Sequence, residues 1–351
     1  MASEGKPIIR STAKPRCEVC GQEGHLLYRD QHDRLFHATG AWSTYRCASA
    51  SCDAVWLNPA PLVEDLPLAY EAYYTHQAQQ RGSRPSRAKA AWHWLKAGYL
   101  GLKYGYGAAD VGPAQRAIGG LLYLLPLRRA GVDEEVRQLK ARPGGLLLDV
   151  GCGSGDWLLR MQELGWAVQG LDFDEAAVQT ARSRGLTIRS GGLQAQQYAT
   201  ASFDVVTLNH VIEHLPDALA TLTECRRILR PGGVLVLYTP NSTSLGHAVF
   251  RSNWRGLEPP RHLNIFGPRS IVTLLRQAGF EDCQVTTANS EFYWKQSLAL
   301  FLGSARSEAG ERRSSGLLAR SLSLALATVA QTLRPFIGRR GESLIAHATR
   351  S

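Results

Sequence analysis

A predicted strand followed directly by a glycine-rich turn constrains the fold of this chain more than any other segment. Residues 146–150, Leu-Leu-Leu-Asp-Val, form the continuous apolar run typical of a buried parallel strand, and Gly151, Gly153 and Gly155 follow it. Glycines at such a turn let the backbone approach a ligand at the N-terminus of the next helix, which we expect at about 154–164. The pattern predicts a nucleotide-type cofactor site in an α/β fold.

The residues after the glycines separate two classes of cofactor. The dinucleotide fingerprint requires a glycine three residues after its second glycine, and Asp156 stands there. A second predicted strand, 167–171, ends at Asp172, whose carboxylate can accept hydrogen bonds from both hydroxyls of a ribose. Phe173 follows and can lie against an adenine face. The alternatives are that Asp172 caps a helix and that Phe173 packs in the core.

Residues 149–158, Asp-Val-Gly-Cys-Gly-Ser-Gly-Asp-Trp-Leu, resemble the first motif of class I S-adenosylmethionine-dependent methyltransferases. The resemblance implies a Rossmann-like sheet of seven strands with helices on both faces, and S-adenosylmethionine as the cofactor. The family's usual acid after the third strand is missing, since 190–194 reads Ser-Gly-Gly-Leu-Gln, so Gln194 or backbone groups would replace it. The implied cofactor-binding residues are Asp149, Gly151, Cys152, Gly153, Gly155, Asp172, Phe173, Gln194 and Asn209.

A polar segment follows the fourth predicted strand, 203–208. If the next turn is helical, His210, Glu213 and His214 share one face. Ligands of open α/β sheets bind at the carboxyl ends of strands, where this segment falls. It resembles the motif after this strand in small-molecule O-methyltransferases, including ubiquinone-pathway enzymes, where a similar cluster serves catalysis and, in some members, a divalent metal. His210 in place of a carboxylate weakens such a metal site, because hard cations prefer oxygen ligands.

Two insertions are expected near the substrate site. The first, 239–267, includes Trp254, His262 and Phe266 and resembles the insert that covers the substrate in one branch of these enzymes. The alternative is a proline-rich loop whose Trp254 and Phe266 seal the core. The second insertion, 291–341, is expected to form a helical hairpin over the substrate pocket or an interfacial helix for a lipid-like acceptor.

Methyl transfer to a hydroxyl requires a base, and the candidates are His214, His210, Glu213 and His262. We predict that His214 is the general base, because a neutral imidazole has its pKa near the working pH. Glu213 would fix an imidazole tautomer or accept a substrate hydroxyl. The predicted reaction is in-line O-methylation of a sugar, quinone-like or natural-product intermediate. The alternatives are C- or N-methylation of a nucleotide-sugar, or RNA methylation.

Four cysteines near the start, Cys17, Cys20, Cys47 and Cys52, form two pairs that fit one tetrahedral structural zinc ion. The second pair has a wider spacing than usual, and the segment resembles the N-terminal zinc ribbon found before some class I methyltransferases. Unrelated cysteines, or two disulfides in a secreted protein, are the alternatives. Because the first residues lack an apolar signal core, we expect a cytoplasmic protein with a zinc site.

These features predict a zinc-ribbon module at 13–66, a helical linker or cap at 67–140 and a methyltransferase domain at 141–351. The net charge of +10 fits either RNA or an anionic acceptor. The arginines are scattered and the Asn-Pro-Pro-aromatic tetrad of base methyltransferases is absent, so we expect a small-molecule acceptor, anionic or lipid-like, rather than nucleic acid. The stretch 317–333 is too short to span a bilayer, which leaves only peripheral membrane contact.

Overall fold

The computed structural model describes residues 7–70, 86–107, 110–303 and 338–351. The chain divides into two compact units, each assembled from several stretches of sequence. The central unit contains Thr75–Thr207 and Ile228–Val236, and the terminal unit contains Met1–Tyr74, Leu208–Arg227 and Leu237–Ser351. The first and last parts of the chain therefore share one unit, although the sequence predicts the cysteine-rich module and the final strands as separate domains.

The strands of the described residues are β1 Ser11–Thr12, β2 Gly24–Gln31, β3 Trp42–Cys47, β4 Val55–Leu57, β5 Ala60–Pro61, β6 Leu146–Val150, β7 Ala167–Asp172, β8 Ile188–Ser190, β9 Phe203–Asn209, β10 Leu229–Pro240, β11 Asn264–Ile265, β12 Asp282–Ala288 and β13 Ser343–Thr349. Seven of them form one sheet in the order β12-β13-β10-β9-β6-β7-β8. The pairs β6–β7 and β7–β8 are parallel, whereas β12–β13 is antiparallel. This mixed sheet confirms the predicted α/β fold.

The α-helices of the described residues are α1 Arg87–Tyr104, α2 Pro113–Gly119, α3 Pro126–Glu135, α4 Asp156–Glu163, α5 Glu175–Ser183, α6 Ala218–Ile228, α7 Leu245–Phe250, α8 Pro268–Gln277 and α9 Glu291–Phe301. Short 3₁₀ helices cover Val63–Tyr70, Gly120–Leu124, Gln194–Gln196, Ile212–His214 and Arg251–Asn253. The stretch predicted as a helical linker or cap thus contains α1 to α3 in its described part. No described helix is long and apolar enough to cross a membrane.

The central unit is organised around β6, whose last four residues are buried because the strand is apolar and lies between two neighbours. The helix α4 begins directly after Gly155, and its first residue, Asp156, places a carboxylate where the helix dipole favours it. The Asp174 side chain caps α5 by accepting from the N–H groups of Ala176 and Ala177. These local signals position the turns that follow β6 and β7.

The terminal unit contains a second sheet, in the order β11-β4-β3-β2. Asn264 pairs with Trp56 and Ile265 with Val55, so the insertion at 239–267 contributes a strand to the sheet of the N-terminal segment. Trp254 is 1% exposed and Phe266 2% exposed. The alternative in which these two side chains seal the core is therefore confirmed, because the segment pairs with β4. A cover over the substrate stays a prediction.

The second insertion is described only at its two ends. Its first part is the helix α9, which confirms the helical expectation for residues 291–301. Tyr293, Trp294 and Leu298 of α9 belong to a buried cluster with Val55 and Trp254. The apolar stretch 317–333 lies outside the described residues.

Candidate active site and metal centre

The glycine loop, residues 151–155, adopts a backbone that glycine favours at three positions. The φ angles of Gly151, Gly153 and Gly155 are 72°, 53° and 78°. A Cβ on Gly155 would lie 2.3 Å from Leu186 Cδ1, whereas a Cβ on Gly153 would meet nothing within 4 Å. Gly155 is thus required by conformation and by packing, and Gly153 leaves room for a close ligand.

Asp172 closes the glycine loop onto the end of β7. The N–H of Gly153 donates to Asp172 Oδ2 at 2.7 Å, and the N–H of Asp174 donates to Oδ1 at 2.9 Å. Burial raises the pKa of Asp172, and these two hydrogen bonds only partly oppose that effect. A carboxylate has about four lone-pair positions, so Asp172 can still accept further donors such as ribose hydroxyls.

Phe173 presents an exposed aromatic ring beside a glycine. The residue is 70% exposed, and a Cβ on Gly192 would lie 3.3 Å from Phe173 Cζ. Gly192 precedes the short helix that contains Gln194, whose side chain is exposed. The absence of a side chain at Gly192 keeps one edge of the ring accessible, which suits stacking of a planar group such as adenine.

The other predicted cofactor residues are less accessible. Asp149 is 1% exposed, and its carboxylate pairs with Arg137 and accepts from Thr207 Oγ1 at 2.7 Å. Burial raises the pKa of Cys152, which keeps its thiol protonated. Asn209 is the last residue of β9 and is half-buried. Arg137 was not foreseen from the sequence, because its partner Asp149 lies in a different element.

The four cysteines of the N-terminal segment converge as the sequence predicts. Their sulfur atoms all lie within 4.8 Å of one another. Cys17 Sγ lies 3.8 Å from Cys52 Sγ, and Cys20 Sγ lies 3.3 Å from Cys47 Sγ. Four thiolates at about 2.3 Å from a tetrahedral zinc ion would be about 3.8 Å apart. The spacing is close to that required for a closed, structural zinc site.

The second cluster of the terminal unit contains His210, Glu213, His214 and His262, and we call it the histidine cluster. The predicted continuous helical face is wrong for His210, because helix geometry begins only at Ile212 and His210 has a φ of 55°. The N–H of His210 donates to the backbone oxygen of Tyr238 at 2.9 Å, so His210 lies alongside β10. Its Nδ1 nevertheless lies 3.0 Å from Glu213 Oε1.

Glu213 is the buried acid of the histidine cluster. It is 0% exposed, and Thr239 Oγ1 donates to its Oε2 at 3.0 Å. Burial opposes ionisation, but the hydrogen bond with His210 and the charges of His210 and His214 outweigh burial and lower the pKa of Glu213. Glu213 is thus an anion placed between two imidazoles.

His214 is held at one ring nitrogen. Its Nδ1 lies 3.0 Å from the backbone oxygen of Arg261 and 2.9 Å from Tyr70 Oη. A carbonyl oxygen can only accept, so Nδ1 carries the hydrogen and the lone pair of the neutral ring lies on Nε2. Burial lowers the pKa of His214 despite the opposing charge of Glu213, which keeps the ring neutral at pH 7.

His262 lies against His214, with ring centroids 4.7 Å apart and the rings at 70°. Its Nδ1 is 2.7 Å from Gly256 O, and its Nε2 is 3.6 Å from Glu258 Oε2. Burial, followed by the charge of His214, places the pKa of His262 well below its ordinary value. Because His262 is only 5% exposed, the half-buried His214 is the more accessible of the two imidazoles.

Buried charges lie behind the two imidazoles. Arg261 is 0% exposed, and its guanidinium donates to Glu258 Oε1 and to Asp33 Oδ2, each at 2.9 Å. Arg255 pairs with the other oxygen of Glu258. These charges were missed by the sequence analysis because Asp33 and Arg261 are 228 residues apart. Beside them lies a cavity of about 250 Å³, whose lining includes Asp33, Arg255 and Glu258.

Glu213, His214 and His262 each offer a ligand atom within 4.8 Å of the others, as a metal site would require. Both oxygens of Glu213 already accept hydrogen bonds, from His210 and from Thr239. Among the described residues, this group and the four cysteines are the two groups whose ligand atoms lie close enough to hold a metal ion.

Comparison with known proteins identifies the family. A family model described as a methyltransferase domain matches residues 127–285. The chain is 37% identical over 173 residues to a ubiquinone biosynthesis O-methyltransferase of Hahella chejuensis. This alignment covers 46% of this chain and 71% of that protein. A second relative, from Mycolicibacterium smegmatis, is named a probable S-adenosylmethionine-dependent methyltransferase and is 37% identical over 137 residues. This alignment covers 38% of this chain and only 51% of that relative's length. The chain belongs to the S-adenosylmethionine-dependent methyltransferases.

The structure also aligns with a crystal structure of an S-adenosylmethionine-dependent methyltransferase from Thermotoga maritima. The alignment covers 65% of this chain and 93% of the Thermotoga maritima chain. The sequence identity is 21% and the TM-score 0.43. A likeness of this degree bears on neither activity nor substrate.

Proposed function

We propose that this protein transfers a methyl group from S-adenosylmethionine to a hydroxyl group of a small-molecule acceptor. The observation that carries the proposal is the fixed tautomer of His214. A neutral, half-buried imidazole with its lone pair on Nε2 is a base suited to removing a proton from a hydroxyl group. The name of the Hahella chejuensis relative, an O-methyltransferase, supports oxygen as the methylated atom.

The methyl donor is assigned to the glycine loop and the end of β7. Gly153 leaves open space, Asp172 has lone pairs for ribose hydroxyls and Phe173 offers an exposed ring. When bound, S-adenosylmethionine supplies an electrophilic methyl group on a sulfonium centre. The buried ion pair between Asp149 and Arg137 supports the end of β6, and Asp149 stays a predicted donor-binding residue. Gln194 and Asn209 stay predicted contacts of the donor.

The acceptor is assigned to the histidine cluster. His214 Nε2 takes the hydroxyl proton, and the carboxylate of Glu213 stabilises the imidazolium that forms. His210 and Thr239 fix Glu213 by hydrogen bonds, and His262 limits the space beside His214. A positioned base of this kind contributes about a hundred- to ten-thousandfold in rate. An anionic acceptor fits the positive net charge of the chain, and a lipid-like acceptor is the alternative.

The cysteine cluster is assigned to one zinc ion. Four sulfur ligands leave no open coordination position, so the ion would stabilise the fold and take no part in chemistry. We assign the protein to the cytoplasm, because a reducing compartment keeps these thiols available for a metal.

The proposal is tested with purified full-length protein, S-adenosylmethionine labelled in its methyl group, and host extract. Products are separated into small-molecule, lipid, RNA and protein fractions. Label in the small-molecule or lipid fraction is expected, and mass spectrometry then identifies the acceptor and the methylated atom. The His214→Gln variant serves as the matched control for background transfer. Label confined to RNA, or equal labelling by both proteins, contradicts the proposal.

A further inference from the structure

Both oxygens that contact His214 Nδ1 are held by the N-terminal segment, residues 7–70. The first, Tyr70 Oη, belongs to that segment and lies at the end of the 3₁₀ helix Val63–Tyr70. The rings of Tyr70 and His214 meet edge to face, with centroids 6.0 Å apart. The hydrogen on Nδ1 is therefore shared between Tyr70 Oη and the Arg261 carbonyl.

The second oxygen, that of the Arg261 backbone, is fixed through its own side chain. The guanidinium donates to Asp33 Oδ2 and to Ala69 O, each at 2.9 Å, and lies 4.5 Å from the centroid of the Phe36 ring. Asp33 is 6% exposed and in turn accepts from three backbone N–H groups of its own loop. Because breaking a buried ion pair is costly, these contacts anchor Arg261 to the N-terminal segment.

We infer that the N-terminal segment sets the tautomer and orientation of the catalytic base, with Tyr70 as a positioning residue for His214. The inference rests on the proposed function. In the neutral ring, Nδ1–H points at the two oxygens and the lone pair lies on Nε2. After Nε2 takes the acceptor proton, the imidazolium still donates Nδ1–H to Tyr70 and to the Arg261 carbonyl, and both bonds become charge-assisted. Tyr70 thus acts through His214.

The groups around His214 determine the sign of the expected change. Burial lowers its pKa, Glu213 and the Arg261 carbonyl raise it, and the charges of His210 and Arg261 lower it. His262 lies beside the ring, with Glu258 behind His262. Removal of the Tyr70 oxygen takes an acceptor away from the imidazolium, so the pKa of His214 falls further and the base becomes weaker.

The chain contains a matched control pair. Tyr28 Oη lies 3.1 Å from His247 Nε2, and those rings meet at 62° with centroids 5.8 Å apart, almost the geometry of Tyr70 and His214. Full-length Tyr70→Phe and Tyr28→Phe variants are compared with the wild type after ¹⁵N-histidine labelling. Ring-nitrogen NMR, assigned by the signals lost in His214→Gln, reports the tautomer and pKa of His214. The pH profile of kcat is measured in parallel.

We expect the wild-type His214 ring in the Nδ1–H form. In Tyr70→Phe, the His214 pKa and the acid limb of the kcat profile move to lower pH, and kcat at neutral pH falls about three- to tenfold. The Kd for S-adenosylmethionine stays unchanged, and Tyr28→Phe alters none of these quantities.

An unchanged His214 tautomer and pKa in Tyr70→Phe overturns the inference, as does an equal change in Tyr28→Phe. A protein that transfers no methyl group but shows the expected NMR change in Tyr70→Phe supports the positioning of His214 and counts against the proposed function alone. The two failures are therefore distinguishable.

Discussion

The glycine loop of the central unit is formed by backbone conformation, whereas the histidine cluster of the terminal unit is formed by side chains. The glycine loop depends on backbone conformation, with three positive φ angles within residues 151–155 and one acid, Asp172, that binds a backbone N–H. The histidine cluster depends on side chains from separate segments, held by buried charges and by Tyr70. The first is a local structure and the second is a tertiary one.

This difference has a consequence for mutagenesis. Changes at the glycine loop should act on donor affinity, because the loop and the end of β7 provide the proposed contacts to the donor. Changes in the histidine cluster should act on turnover, because the proposed role of His214 is proton transfer. Three predictions test this separation and a fourth tests the zinc site, in order from the largest expected effect to the smallest.

Replacement of the proposed base should have the largest effect on rate. His214→Gln is expected to lower kcat by about a hundred- to ten-thousandfold, because the imidazole lone pair is lost. Initial rates with labelled S-adenosylmethionine measure the change. His93→Gln is the control, since His93 is an exposed residue of α1. A His214→Gln enzyme within threefold of the wild type would remove His214 from the mechanism.

Loss of a zinc ligand should destabilise the terminal unit. Cys47→Ser is expected to abolish zinc binding and to lower the free energy of unfolding by about 4 kcal/mol or more. Metal analysis and urea unfolding measure both quantities. Cys283→Ser is the control, because Cys283 lies in β12 outside the cysteine cluster. Equal zinc content in the wild type and Cys47→Ser contradicts the assigned site.

Removal of the proposed ribose ligand should weaken donor binding. Asp172→Asn is expected to raise the Kd for S-adenosylmethionine by about ten- to a hundredfold, the range for a lost hydrogen bond to a charged group. Calorimetric titration measures the change. Asp174→Asn is the control, because asparagine also caps a helix and can preserve the start of α5. Similar affinities in both variants would place the ribose elsewhere.

The pH dependence of turnover should follow His214. Its pKa is lowered from the ordinary histidine value of 6.5, so the base is unprotonated at pH 7. As pH falls through that lowered pKa, the base becomes protonated and kcat declines, approaching about tenfold per pH unit. Rates at saturating donor between pH 4.5 and 8 test this dependence. A decline that begins above pH 7 contradicts a neutral His214.

The contrast between local and tertiary structure explains which parts of the site could be predicted from the sequence. The glycine loop, Asp172 and the cysteine pairs are each visible within short windows, because their geometry is set by neighbouring residues. The support of His214 was not visible, since Tyr70 is 144 residues away from it and no local pattern marks the contact. The position of His210 was also misjudged, because its N–H pairs with Tyr238 of β10 instead of starting a helix.

The most direct test of the account measures donor binding and single turnover on the same preparations of wild type, His214→Gln and Asp172→Asn. The account predicts that His214→Gln binds S-adenosylmethionine with wild-type affinity but turns over slowly even at saturation. Asp172→Asn should bind weakly yet approach the wild-type single-turnover rate once saturated with donor. If each variant loses affinity and rate in the same proportion, the assignment of donor binding to the glycine loop and of proton transfer to the histidine cluster is wrong.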